Sequence, residues 1–109
     1  MERAEERAGS RVVGLIFHRL VQQDLRVVLR YYEKEGGSAL ADRFFRELDT
    51  LVHEIENHPT RFHKVAGNLR RADLERFPYH LLFTEGTKGI RVLVLRHHRR
   101  NPNFGIQRK

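Results

Sequence analysis

Two adjacent glycines, Gly36 and Gly37, divide a long stretch of helical sequence into two amphipathic segments. Apolar residues recur in each segment at spacings of three and four, the period of one helix face. They are Val21, Leu25, Val28, Leu29 and Tyr32 before the glycines and Ala41, Phe44, Leu48, Leu51 and Ile55 after them. Glycine tolerates the left-handed conformation that ends helices, and Ser38 can cap the helix that follows. The pattern therefore predicts two helices, at about 19–35 and 38–57, that fold back on each other as a hairpin.

Segments with strand character lie on both sides of the predicted hairpin. Residues 12–17 form a short apolar run, which predicts a strand buried on both faces. After a predicted loop at 58–68, strand-like segments occur at 69–75, 79–84 and 90–97, and the apolar centre of the last one is typical of a central strand. Their spacing suits an antiparallel meander. The order β-α-α-β-β-β predicts an α+β fold, with the N-terminal strand and the helical hairpin packed on one face of a small, mainly antiparallel sheet.

The length of 109 residues is that of one domain, which we expect to span residues 11–109. Residues 1–10 are half charged and lack apolar periodicity, so we expect a disordered lead-in there. The absence of cysteine excludes disulfides, thiolate metal sites and a cysteine nucleophile. No apolar run approaches the roughly 20 residues of a membrane-spanning helix, and residues 1–10 lack the apolar core of a secretory signal. We therefore expect a cytoplasmic protein.

The charge balance indicates an acidic partner. Lysine and arginine number 21 against 14 aspartates and glutamates, and only four of the basic residues are lysines. The planar guanidinium of arginine suits bidentate contacts with phosphate or carboxylate. A small protein with a formal charge of +7 favours nucleic acid, an acidic protein or an anionic surface, although excess charge also keeps a protein in solution.

Four motifs, in this order and spacing, resemble those of RelE/ParE toxins, and in particular the ParE-like or plasmid stabilisation branch. The match covers about residues 12–104. The motifs are Gln23-Asp24-Leu25 leading to Tyr31-Tyr32-Glu33, Ala41-Asp42-Arg43-Phe44, Leu69-Arg70-Arg71 running into Arg76-Phe77-Pro78-Tyr79, and Val92-Leu93 continuing to His97-His98-Arg99-Arg100-Asn101-Pro102. The resemblance implies a small toxin that is neutralised by an antitoxin encoded beside it. Some members of the superfamily cleave mRNA on the ribosome, whereas ParE-like members poison DNA gyrase.

The sequence departs from the ribonuclease branch at the positions that carry its chemistry. RNA cleavage without a metal needs a proton acceptor, cations for the phosphate and a proton donor, and RelE-like enzymes resemble one another in using lysines, arginines and a C-terminal tyrosine. Here His80 and Asp73 stand at two of the basic positions, and no tyrosine follows Arg100. The departures favour a toxin that acts on gyrase by protein contact. The alternative, a ribosome-dependent endoribonuclease, stays open with His80, Arg71 and Arg100 as candidate catalytic residues.

No cofactor and no metal are expected. The seven histidines include no HExxH or comparable ligand arrangement. A simple nucleic-acid-binding module is a third hypothesis, and it lacks a helix-turn-helix signature.

Two sets of residues are candidates for partner contacts. Basic residues around the end of the last strand are expected to bind the target, with Arg70, Arg71 and Arg76 on the same side as the Arg96–Arg100 cluster. His97 and His98 should point to opposite faces of the sheet. This set comprises Arg70, Arg71, Arg76, Arg96, His97, His98, Arg99 and Arg100. Antitoxin contacts are expected on the helical hairpin, where an exposed aromatic side chain suits a groove for a partner helix. This second set comprises Tyr31, Phe45, Arg26 and Arg30.

Overall fold

A computed structural model describes residues 15–109. The predicted lead-in at 1–10 and the beginning of the predicted first strand, residues 12–14, lie outside the described residues. The elements are β1 (Leu15–Phe17), α1 (Val21–Asn57), a 3₁₀ turn (Pro59–Arg61), β2 (His63–Ala66), β3 (Leu69–Asp73), β4 (Tyr79–Gly86) and β5 (Gly89–His97). Within this part of the chain, no helix has the length and apolar character that crossing a membrane requires.

The predicted helical hairpin is confirmed, although its two halves form one helical segment, α1. Gly36 (φ −145°, ψ 16°) and Gly37 (φ 77°, ψ −175°) leave helical geometry between them. The positive φ of Gly37 is unfavourable for any residue with a Cβ atom. The two halves of α1 lie side by side on either side of these glycines, and the ring of Tyr32 lies 5.4 Å from that of Phe44.

The five strands form one sheet in the order β1-β5-β4-β3-β2, parallel between β1 and β5 and antiparallel elsewhere. The predicted loop at 58–68 was wrong in part, because it contains β2. All four residues of β2 are exposed, so this edge strand lacks the apolar alternation that marks a strand in sequence. The prediction that the first strand is buried on both faces was also wrong: β1 is an edge strand, and Ile16 and Phe17 are 54% and 46% exposed.

The sheet has apolar residues on both faces, and different parts of the chain cover them. The main core lies between α1 and one face, where Phe44 and Ile55 pack against Phe83. On the other face, Phe104 and Ile106 of the C-terminal tail (residues 98–109) pack on a smaller cluster formed by Leu69, Leu82, Leu93 and Val94. The predicted packing on one face therefore describes only half of the structure, because the tail shows no helical or strand period that would reveal its role.

A β-bulge in β5 decides which side chains reach the tail-covered face. Leu82 pairs with Val94 and Phe83 pairs with Val92, so Leu93 has no partner in the β4–β5 ladder. One extra residue inverts the alternation of the strand beyond it. Val92 packs on the helical side, whereas Val94 packs under the tail. The bulge also brings Arg96 to the tail-covered face.

Asp24 and Arg108 complete the edge of β5 where β1 ends. The β1 pairing reaches only Val92. Beyond it, the Leu95 N–H donates to Asp24 Oδ2 (3.1 Å), and Arg108 Nη1 donates to the Leu93 carbonyl (2.9 Å). The two side chains form a two-pronged ion pair of 2.7 and 3.0 Å and are only 8% and 11% exposed. This pair joins α1, β5 and the C-terminal tail.

Replacing Asp24 with alanine is expected to lower the free energy of unfolding by about 3–5 kcal/mol, because it leaves the Arg108 cation buried without its carboxylate. The double variant Asp24→Ala/Arg108→Met should lose less than the sum of the two single variants. Urea unfolding of the full chain measures both effects. Asp49→Ala, which removes a mostly exposed carboxylate, serves as the control and should change stability by less than about 0.5 kcal/mol. Additive losses in the double variant would contradict the coupling.

Gly105→Ala is expected to destabilise the protein by about 2–4 kcal/mol. Gly105 has φ +83°, and an added Cβ would lie 2.6 Å from Val94 Cβ, so the tail would have to lift from the sheet. The matched control is Gly86→Ala, whose Cβ would meet nothing within 4 Å. The midpoints of urea unfolding compare the two variants, and equal midpoints would show that the tail does not pack closely on β5.

Candidate functional site

The strand register brings the predicted histidine and several predicted arginines together on the tail-covered face. His80 in β4 lies opposite Asp73 in β3 on one side and Arg96 in β5 on the other. Arg71 occupies the same face of β3, two residues before Asp73. His98, just beyond the end of β5, stacks on His80 with ring centroids 5.2 Å apart and 15° between the ring planes.

The hydrogen bonds of this cluster run in one direction. Arginine can only donate, so the Arg96 Nε–H donates to His80 Nε2 (2.9 Å) and leaves the His80 proton on Nδ1. His80 Nδ1 then donates to His98 Nδ1 (2.9 Å), which also accepts from Arg71 Nη2 (3.2 Å). Each ring therefore has one defined tautomer, with the His98 proton on Nε2.

Burial holds the central histidine neutral. The side chain of His80 is 1% exposed. Burial is the main cause that lowers its pKa to about 4, and the positive charges of Arg71 and Arg96 add to the effect. The pKa of His98 is also lowered, chiefly by burial, while Asp73 acts in the opposite direction. The pair is accordingly uncharged at neutral pH.

The candidate catalytic set does not form an open site. Both ring nitrogens of His80 have hydrogen-bond partners within the protein, and its burial prevents contact with a substrate hydroxyl. Arg71 joins the cluster through His98. The guanidinium carbon of Arg100 lies 4.0 Å from the centre of the Phe104 ring. The burial of His80 therefore does not favour the ribonuclease alternative, for which His80, Arg71 and Arg100 were the candidate catalytic residues.

Asp73, His80 and His98 also have the composition of a metal site, with ligand atoms all within 4.8 Å of one another. The hydrogen bonds around them argue against that role. A histidine that binds a metal through Nδ1 carries its proton on Nε2 and donates it, whereas His80 Nε2 accepts from Arg96. The Arg71 guanidinium already contacts both Asp73 Oδ1 (2.6 Å) and His98. The cluster fits a hydrogen-bond network that supports the sheet.

Arg70, Arg71 and Arg76 do not line the same side of the sheet, and the sequence-based prediction was wrong on this point. Arg70 and Arg71 are neighbours in a strand and face opposite ways. Arg70 Nη1 donates to the Phe62 carbonyl (2.6 Å) on the helical side. Arg76 lies in the connection between β3 and β4, beside the second half of α1.

Arg96 has an internal role. Its Nη1 donates to the carbonyls of Pro102 (2.6 Å) and Phe104 (3.0 Å), so the same guanidinium that binds His80 also fixes the tail. The opposite orientation of His97 and His98 is confirmed, because the His97 ring packs on Tyr79, 5.0 Å away on the helical side. The exposed remainder of the predicted set is His98, Arg99 and Arg100, with Arg71 half-buried beside them. We call these four residues the basic end.

The predicted exposure of Tyr31 and Phe45 on the hairpin is confirmed, at 53% and 48%. Phe45 lies on an apolar groove of about 490 Å³ between β1 and the two halves of α1, which we call the Phe45 groove. Its apolar lining comprises Phe17, Val21, Leu25, Phe45, Leu48, Val52 and Leu81. Arg26, Arg30 and Tyr31 do not line it. Sequence reasoning missed the contribution of Phe17, because only the position of β1 at the sheet edge exposes this side chain.

Comparisons with known proteins agree with this architecture. A chain in the solved structure described as the chromosomal ParDE TA system from P. aeruginosa matches with a TM-score of 0.70 and 19% sequence identity, covering 78% of this chain and 95% of that chain. At this identity, the likeness shows the fold alone, a small α+β domain with a helical hairpin on a mixed sheet. Residues 15–102 match the family described as the ParE toxin of the type II toxin–antitoxin system, parDE. No curated protein sequence matches. The chain belongs to the ParE toxin family, and the ribonuclease alternative is not favoured.

The buried histidine predicts a loss of stability in acid. Because the pKa of His80 is about 4 in the folded protein and 6.5 unperturbed, the unfolded chain binds the proton more tightly. The contribution of His80 is fully present above pH 6.5 and is lost as the pH falls towards 4. Between pH 7.5 and 5 we expect His80 alone to lower the free energy of unfolding by about 2 kcal/mol.

Urea unfolding at several pH values tests this expectation. His80→Asn should flatten the pH dependence, whereas His63→Asn, at an exposed position of β2, should leave it unchanged. If His80→Asn is too unstable to measure, NMR titration of the wild-type imidazole gives the same information. A His80 ring that becomes protonated near pH 6.5 would refute the buried neutral network.

Proposed function

We propose that this ParE-family toxin inhibits DNA gyrase by protein contact, without covalent chemistry of its own, and that a cognate antitoxin neutralises it. The observation that carries the proposal is the enclosure of His80 within its cluster. His80 is buried and hydrogen-bonded at both ring nitrogens, so the group best suited to acid–base work is occupied in holding the fold. The enclosure of His80 therefore supports action by protein contact. A gyrase target places its site of action in the cytoplasm.

The basic end is the proposed contact surface for the target. Arg99 and Arg100 are exposed directly after β5, and Arg71 and His98 lie beside them. Arg100 stacks on the Phe104 ring, and its planar guanidinium suits two-pronged contact with a carboxylate. Such a surface favours carboxylates of an acidic partner and accelerates encounter with it. Phe104 belongs to the tail that Arg96 fixes, so the tail holds Arg100 in position.

The Phe45 groove is the proposed contact surface for the antitoxin. An amphipathic helix places its apolar face in such a groove and leaves its charged face in water. The exposed rings of Phe17 and Phe45 gain the most from being covered, because about 25 cal/mol is gained for each Å² of apolar surface buried. Tyr31, Arg26 and Arg30 lie on the same helical hairpin, and we propose that a longer segment of an acidic antitoxin reaches them.

The first test measures supercoiling by purified gyrase and the integrity of ribosome-bound mRNA after each is incubated with the purified full-length chain. We expect supercoiling to be inhibited and the mRNA to stay intact. Cleavage of the mRNA with normal supercoiling would overturn the proposal in favour of the ribonuclease.

Arg99→Ala/Arg100→Ala is expected to weaken gyrase inhibition at least tenfold, because it removes two cations from the proposed contact surface. The matched control is Lys64→Ala/Lys88→Ala, which removes the same charge from exposed positions in β2 and in the β4–β5 turn. The control should inhibit gyrase within about twofold of the wild type. Equal inhibition by both variants would exclude Arg99 and Arg100 from the contact.

A further inference from the structure

A second groove, of about 520 Å³, lies between the second half of α1 and the connection between β3 and β4. We call it the Arg76 groove. Leu40 and Phe77 form its apolar floor, and Arg43, Arg46 and Arg76 stand exposed around it. The remaining lining residues are Glu47, Thr50 and Glu75. This groove is separate from the core, the basic end and the Phe45 groove, and the proposed function does not involve it.

The walls of the Arg76 groove are fixed. Glu47 Oε2 accepts from the backbone N–H groups of Glu75 and Arg76, which ties the β3–β4 connection to α1. On the floor, the Phe77 ring packs on the core aromatics, with its centroid 4.9 Å from that of Tyr32 and 5.1 Å from that of Phe44. A site whose backbone and floor are held in this way requires little ordering when a ligand binds, which favours affinity.

The charges around the groove are unbalanced. Three arginines line it against two carboxylates, and one of these, Glu47, is directed to backbone N–H groups rather than to a guanidinium. Clustered guanidinium groups at an apolar floor match a segment that carries both carboxylates and apolar side chains.

We propose that the Arg76 groove binds an acidic, amphipathic peptide segment of a partner protein, with its apolar side chains on Leu40 and Phe77 and its carboxylates on Arg43, Arg46 and Arg76. A peptide fits better than a nucleic acid because Glu47 and Glu75 line the same groove. The regular phosphates of a nucleic-acid backbone would meet these carboxylates and be repelled, whereas a peptide places neutral or basic residues opposite them.

This surface is separate from the Phe45 groove. At 100° per residue, Phe45, Asp49 and Val52 lie on one flank of the second half of α1. Arg43, Glu47 and Thr50 lie on the other flank, across the buried stripe. One helix thus presents two grooves of different chemistry, one apolar and one lined by arginines. The inference goes beyond the proposed function, because it depends on neither the gyrase target nor the occupant of the Phe45 groove.

Fluorescence anisotropy tests the proposal with a labelled 16-residue helical peptide that carries glutamate on one face and leucine on the other. The peptide is titrated with the wild-type chain and with Arg43→Ala/Arg76→Ala, which we expect to raise Kd about tenfold or more. The matched control is Lys64→Ala/Lys88→Ala, which removes the same charge from exposed positions in β2 and in the β4–β5 turn and should change Kd by less than about twofold. Equal weakening in both variants would mean attraction by net charge alone and would overturn the proposal.

Two further measurements distinguish the remaining occupants. In the Phe45→Ser background, which weakens the Phe45 groove, the loss of affinity caused by Arg43→Ala/Arg76→Ala should persist. Peptide binding that is lost in Phe45→Ser and retained in Arg43→Ala/Arg76→Ala would move the peptide to the Phe45 groove and overturn the assignment. A 16-nucleotide oligothymidylate should bind weakly and without dependence on Arg43 and Arg76. Oligothymidylate binding that is tighter than that of the peptide and is lost in the arginine variant would assign the groove to nucleic acid instead. Urea midpoints of all variants verify that the exposed substitutions leave the fold unchanged.

Discussion

The Asp24 carboxylate connects the three parts of the chain that must meet for this fold to close. It accepts from the backbone of β5 at Leu95, binds the Arg108 guanidinium from the tail, and itself belongs to the first turn of α1. The edge of β5 needs these partners because β1 is too short to pair with its second half. An unpaired strand edge is costly when buried and open to other chains when exposed. Asp24 and Arg108 thus supply the hydrogen bonds to β5 that a longer β1 would otherwise provide.

A consequence of fixing the tail is that the sheet is covered on both faces, and His80 is buried on the same face as the tail. Arg96 binds His80 through Nε and the tail carbonyls through Nη1, so the hydrogen-bond network and the tail stabilise each other. Partly satisfied buried polar groups are expensive, which explains why Arg71 and His98 complete the chain of donors and acceptors. Histidines and arginines that resemble a catalytic set in sequence therefore stabilise the fold through these hydrogen bonds.

The arginines that remain at the surface are divided among separate places. Some lie at the end of β5, where the tail begins, and others flank the second half of α1 around the Arg76 groove. The Phe45 groove adds an apolar surface on the opposite flank of the same helix. A toxin must be recognised by a target and by a neutralising partner, and spatially separate surfaces of different chemistry allow the two recognitions to be specified independently.

The sequence by itself determined the elements that local periodicity encodes. The two glycines and the apolar spacings predicted the hairpin, and strand-like composition predicted β3, β4 and β5. Strand alternation predicted the opposite orientation of His97 and His98, and the motif order indicated the family. Tertiary structure alone decided the pairing of β2, the exposure of β1, the bulge at Leu93 and the second cover formed by the tail. It also decided that His80 is enclosed and that Asp24 meets Arg108, 84 residues away. The physical reason is that a helix face or strand alternation repeats within a few residues, whereas edge completion, register shifts and burial depend on which distant segments lie side by side.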